Sequence, residues 1–109
     1  MSSNNIFTMT TKVTDKVLLN LIVARTGGLT TSKIIDEILI KPQNANQLAR
    51  TLNLNYTTIT YHTDILCKNN YVNKEKFNNY YYYSPSDKLI KNLDEYILIK
   101  EYHKQKKIR

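Results

Sequence analysis

The chain of 109 residues holds one cysteine, two glycines, two prolines and no tryptophan. A lone Cys67 closes no disulfide within the chain and builds no cysteine-only metal site, and its scarcity fits a reducing cytoplasm. Long apolar runs are also missing. The longest, Val17 to Ala24, is interrupted by Asn20 and falls far short of the ~20 residues that cross a bilayer. The opening MSSNNIFTMTTK has neither the extended apolar region nor the small-residue cleavage site of a secretory signal. These absences lead us to expect a cytoplasmic protein that begins at Met1. With two scattered histidines, no carboxylate pair of evident purpose and no glycine-rich phosphate loop, nothing assembles into a catalytic site. No enzymatic activity, metal or cofactor is expected.

Acidic residues are in short supply as well: nine against sixteen Lys and Arg, a formal charge of +7. Such a field concentrates polyanions such as DNA, RNA or anionic membrane around the chain. A hydrophobic fraction of 41% with 23% charged residues is ordinary for a folded domain. The length allows one domain with a modest core. Residues 1–12 are polar and aperiodic and read as a flexible N-terminal tail, leaving 13–109 as a single domain.

From Val13 to Arg25 the apolar residues fall near helical spacing until Gly27-Gly28 breaks the pattern. Thr31 or Ser32 is a candidate cap for a second helix whose stripe is Ile34, Ile35, Ile38 and Leu39, ended by Pro42. A third helix starts near Asn44 or Asn46 and ends at Asn53-Leu54-Asn55, and a fourth runs from Tyr56 to Lys68. Tyr71 to Glu75 and Tyr80 to Ser84 then read as two strands around the polar turn Asn78-Asn79. Alternation along the second strand would turn two rings of the run Tyr80 to Tyr83 inward and two outward. Pro85 and Asp87 introduce a last helix with Leu89, Ile90, Leu93 and Ile97. The fold class is mainly α with a small β-hairpin.

The segment NANQLARTLNLNYTTITYHTDIL, residues 44 to 66, has helix-turn-helix layout. Ala49 is small where the two helices approach. Asn53, four residues on, suits a left-handed turn, and Ile59, six further, locks the second helix to the core. With TSKIIDEIL before it and the hairpin ending YYYYSPS after it, the chain from Gly27 to Ser86 resembles the ArsR-like winged helix-turn-helix transcription regulators, especially archaeal members. The resemblance implies a winged helix-turn-helix with additional N- and C-terminal helices. It places helix 56–68 in the major groove and wing 71–84 on the backbone or minor groove, with the flanking helices forming a dimer. His62 matches the family's histidine, while Thr63 stands where the family has leucine. The two-cysteine metal motif of many relatives has no counterpart, so metal sensing is not implied.

On the recognition helix, Ile59 and Leu66 face inward, leaving Asn55, Thr57, Thr58, Thr60, Tyr61 and Lys68 toward DNA. Arg50, Lys68, Lys74 and Lys76 would meet phosphates, with Lys33 and Lys41 in support and Asn78 and Asn79 at the wing tip. Leu89, Leu93 and Ile97, joined by Leu18 and Leu21 from the N-terminal run, are spaced for a partner helix in a homodimer. Two alternatives stay open: a winged-helix protein-interaction module, kept alive by a recognition helix without arginine, and a non-specific chromatin- or RNA-binding protein.

Overall fold

The computed structural model describes residues 13–108, with side chains through Gln105; the expected tail, residues 1–12, lies outside them. Helix α1 (Lys16–Leu19) runs into a π-helical segment (Asn20–Ala24). There follow α2 (Gly28–Ile40), β1 (Gln43–Asn44), α3 (Ala45–Leu52), α4 (Tyr56–Lys68), β2 (Val72–Phe77), β3 (Tyr80–Pro85), α5 (Asp87–Lys91) and α6 (Leu93–Ile108). The order of helices and hairpin follows the expectation, with three departures: the π turn, the short strand β1, and a last helix split at Asn92.

Each start has a local cause. Asp15 caps α1 by accepting from the Leu18 amide at 3.1 Å. Asn44 and Gln47 form a reciprocal capping box at α3: the Gln47 amide donates to Asn44 Oδ1 at 2.8 Å and the Asn44 amide to Gln47 Oε1 at 2.9 Å. Asn53 takes the left-handed conformation expected of it, with φ 57°, and the Leu54 amide closes the turn on the Ala49 carbonyl at 2.9 Å. Helix α2 begins earlier than expected. Its N-cap is Gly27, at φ 92°, and Thr31 and Ser32 lie buried inside the helix. Their hydroxyls donate back to the carbonyls of Gly27 and Leu29, so neither caps the helix.

The glycine pair does more than stop a helix. A Cβ on Gly28 would stand 1.8 Å from the Ile22 carbonyl oxygen, so the π segment and α2 meet backbone to backbone. That contact delivers Leu18, Leu21 and Ile22 to one hydrophobic cluster with Ile34, Ile35 and Ile38 of α2, Leu48 of α3, and Ile59 and Leu66 of α4. Each fully buried aliphatic side chain contributes about 1.5–3 kcal/mol. Tyr71, Val72, Tyr83, Leu89, Tyr96 and Ile99 extend the cluster under the hairpin and the C-terminal helices.

The sheet has the order β1-β3-β2, all antiparallel, with Gln43 opposite Tyr83 and Lys74 opposite Tyr83 on the other side. Asn78 and Asn79 both have positive φ, the two-residue primed turn that matches strand twist. The tyrosine run departs from the expected two-in, two-out pattern. Only Tyr83 is buried; Tyr80 and Tyr81 are exposed and Tyr82 is half-buried, because the hairpin projects beyond the core and has no inner layer to cover. At its base, the Tyr71 hydroxyl donates to Asp15 Oδ1 at 2.6 Å, and the Asp15 amide donates to Glu95 Oε1 at 2.9 Å. Burial and the Asp15 carboxylate push the Tyr71 phenol well above its ordinary pKa. Ser86 caps α5 and donates to the Asn70 carbonyl at 2.6 Å. Tyr96 of α6 donates to Asp36 at 2.7 Å, and Lys100 pairs with the same carboxylate at 3.0 Å. No helix among the described residues is long and apolar enough to cross a membrane.

Gly28→Ala forces a methyl into the Ile22 carbonyl, a change expected to lower unfolding free energy by about 3 kcal/mol or more, read by urea denaturation. Asn44→Ala removes the box and should cost about 1 kcal/mol. Wild-type stability in the glycine variant would contradict the close approach.

Candidate nucleic-acid interface

Helix α4 turns Ile59, His62, Thr63 and Leu66 into the core. At about 100° per residue, the opposite side is the row Thr57, Thr60, Tyr61, Asp64 and Lys68. Thr57, Tyr61, Asp64 and Lys68 are exposed, Tyr61 by 58%. Thr60 is half-buried and donates its hydroxyl to the Thr57 carbonyl at 3.1 Å, leaving oxygen lone pairs for an outside donor. Thr58 is also half-buried and sits about a quarter-turn from this row. Asn55 is exposed at the N-cap position, where its side chain makes no capping bond.

Lys74 and Lys76 lie on the exposed part of the hairpin, on the face shared with Tyr81 and Tyr83. Lys74 Nζ stands 4.8 Å from the centroid of the Tyr81 ring, a contact that orders the cation without neutralising it. Between α4 and the hairpin runs an open cleft of 260 Å³, lined among others by Tyr56, Thr60, Asp64, Lys74, Asn79 and Tyr81. Thr60, Lys74 and Asn79 therefore line one cleft. Arg50 does not join them: it borders a separate depression with Glu37, Lys41 and Gln47.

Three residues at this face were not among those singled out. Tyr56 and Asp64 continue the outward row of α4, and helical spacing alone could have found Asp64, three residues after Tyr61. Arg25 lies 36 residues before Tyr61 and donates from Nη2 to the Tyr61 hydroxyl at 3.4 Å; no sequence signal links them.

Behind the row, His62 is buried, edge-on to Tyr61, with Nδ1 3.2 Å from Thr31 Oγ1. Burial, and then the Arg25 charge, hold its pKa below the ordinary histidine value, so it packs as a neutral ring. Thr63, in place of leucine, is fully buried and donates to the Ile59 carbonyl at 3.0 Å. Its hydroxyl is thereby satisfied. Burial raises the Cys67 thiol above its ordinary pKa. Among the described residues no group of three or more His, Cys, Asp or Glu is placed to hold a metal ion.

The residues expected at a dimer contact divide. Leu18, Leu21 and Leu89 are buried in the protomer's own core, because α1 and α5 use them to seal the cluster, and a partner cannot reach them in the folded chain. Leu93 is half-buried, and Ile97 is 49% exposed. Val17 and Ile90 are also exposed.

This fold is similar to that of solved bacterial proteins. Reduced HlyU from Vibrio cholerae N16961 superposes with TM-score 0.59 at 18% identity, covering 89% of this chain and 94% of that one. A transcriptional regulator HlyU from Vibrio vulnificus CMCP6 gives TM-score 0.60 at 18% identity over 93% and 97% of the two chains. The protein has a winged helix-turn-helix fold. No family model matches the chain, and no curated protein matches it.

Because His62 is held neutral in the folded state, the unfolded chain binds its proton more readily. Stability is therefore full above the ordinary histidine pKa of about 6.5 and falls as pH drops through it. Thermal melts across that range should show the decline, and His62→Gln should remove most of it.

Proposed function

We propose that the protein is a sequence-specific transcriptional regulator that binds duplex DNA as a homodimer and acts by occupying a promoter site. In this reading α4 enters the major groove and the hairpin lies along the backbone. The observation that carries it is the exposed row Thr57, Tyr61, Asp64 and Lys68 beside the Lys74, Lys76 and Asn79 hairpin, on a chain of charge +7. The fold shared with HlyU, a transcriptional regulator in Vibrio vulnificus, adds support. The residues quoted above keep the ArsR-like, archaeal-type assignment as its finer form.

Roles follow from chemistry. Thr57, Thr60 and Tyr61 offer hydroxyls to base edges, while the Thr57 methyl and the Tyr61 ring suit the thymine methyl. Asn55 and Thr58 flank the helix toward the sugar-phosphate chain. Arg50, Lys68, Lys74 and Lys76 neutralise phosphates, and Asn78 and Asn79 bring backbone and amide groups to the wing contact. The partner-facing surface is the exposed side of α6 at Ile97 with Leu93, joined by Val17 and Ile90. A twofold dimer would set two α4 helices ~34 Å apart and read a pseudopalindrome. A second reading, a protein-interaction module, draws on the exposed Phe77 and Tyr80 at the hairpin end.

Selection from a random duplex library, followed by titration of selected and scrambled sites at two salt concentrations, tests this. A roughly twofold-symmetric site is expected. Indiscriminate, salt-sensitive binding would replace it with a general nucleic-acid binder, and no binding would favour the protein-interaction module. Tyr61→Ala should weaken selected sites most, whereas Lys76→Ala should weaken all duplexes and flatten the salt dependence by about one unit. Ile97→Glu should yield a folded monomer by sedimentation; an unchanged dimer would remove α6 from the interface.

A further inference from the structure

Arg25 follows the π segment in extended conformation, φ −88° and ψ 146°, two residues before the left-handed Gly27. Its guanidinium carbon lies 5.9 Å from the centre of the Tyr61 ring, and Nη2 donates to the Tyr61 hydroxyl at 3.4 Å on the solvent side. Nη1 is buried with no hydrogen-bond partner. Among the described residues no carboxylate lies within ion-pair distance of this side chain. A guanidinium cannot shed its proton to escape burial, so a half-buried one without a counter-anion is held at a cost. The neighbouring imidazole, His62, stays neutral and does not add to the charge.

What this unpaired cation has beside it is the most exposed ring of the recognition helix. Helix α4 carries one cation in its outward row, Lys68, and one anion, Asp64, so the helix face itself brings no net positive charge to a phosphate backbone. Arg25 supplies the missing charge from another element, at the edge of the same face. We propose that Arg25 binds a DNA backbone phosphate at the flank of α4 and positions Tyr61 for base contact. The phosphate takes the solvent-facing Nη2 edge, becoming the counter-anion that the folded chain lacks. The Tyr61 ring, hydrogen-bonded to Arg25 through its hydroxyl, is thereby held in one orientation before DNA arrives, which reduces the ordering cost of binding.

The proposal rests on the DNA-binding reading, and the test separates the two. Affinities of wild type, Arg25→Gln, Arg25→Lys and Tyr61→Phe are measured across a salt series on the library-selected duplex and a scrambled one, with thermal melts of each variant. Arg25→Gln should lose about one unit of salt slope on both duplexes. Arg25→Lys should keep the slope but lose part of the preference for the selected site, because an ammonium lacks the planar fork that can bond the Tyr61 hydroxyl and a phosphate together. Tyr61→Phe should likewise keep the slope and lose preference. If Arg25→Gln does not fold, wild type and Arg25→Lys are compared on duplexes with single neutral methylphosphonate links. One such link should then shrink the affinity difference between the two proteins, leaving the part that arises at Tyr61, and a difference unaffected by any link would overturn the proposal. An Arg25→Gln protein that binds with the wild-type salt slope overturns it while leaving the regulator reading intact. A wild-type protein that binds no duplex overturns both.

Discussion

The backbone contact between Gly28 and Ile22 is the constraint on which the rest of the molecule depends. No side chain larger than hydrogen fits there, and the approach lets α1 and its π extension lie against α2 with no spacer. Gly27 serves the same junction from the other side: its left-handed backbone reverses the chain, and a Cβ on it would come 3.1 Å from the His62 ring. The glycine pair thus joins three elements, the π segment, α2 and α4. Arg25 reaches Tyr61 because the chain turns at this point. The position of a candidate DNA-contacting face is in this way tied to packing at its back.

Electrostatics divides the face into two parts. The hairpin carries Lys74 and Lys76 on one side, with Tyr81 under the Lys74 ammonium, and suits a phosphate chain that offers charge without sequence. The α4 row is nearly neutral and rich in hydroxyls, and suits base edges, where hydrogen-bond pattern discriminates and bulk charge does not. Asp64 sharpens that division. A carboxylate repels phosphate but accepts from the cytosine amino group, so its place in the row favours a helix that reads bases over one that merely adheres.

Much of the fold was legible in the amino-acid order because its signals are local. The helix start near Asn44, the left-handed Asn53, the polar turn Asn78-Asn79 and the apolar spacing of α2 and α4 each act within a few residues. What escaped notice depends on tertiary contact. Thr31 and Ser32 resembled caps, yet the glycine contact with Ile22 puts the cap of α2 at Gly27, four or five residues sooner. The tyrosine run suggested a strand with an inner face, but the hairpin outruns the core. Leu18, Leu21 and Leu89 had the spacing of a dimer seam; whether such a stripe faces a partner or the chain's own core depends on helices far away in sequence. The outward row of α4 followed from periodicity, whereas Arg25 came to light only through the fold.

The central claim is that the α4 row and the hairpin form one DNA-facing surface. Amide chemical shifts of the isotope-labelled protein, recorded while a selected duplex is titrated in, test it most directly. The account predicts that the largest changes fall on residues 55 to 68 and 74 to 81, with Arg25 following Tyr61 and the Ile90 to Ile97 face little affected by DNA. Changes confined to the α6 face, or spread evenly over the basic surface with α4 unmoved, would contradict it.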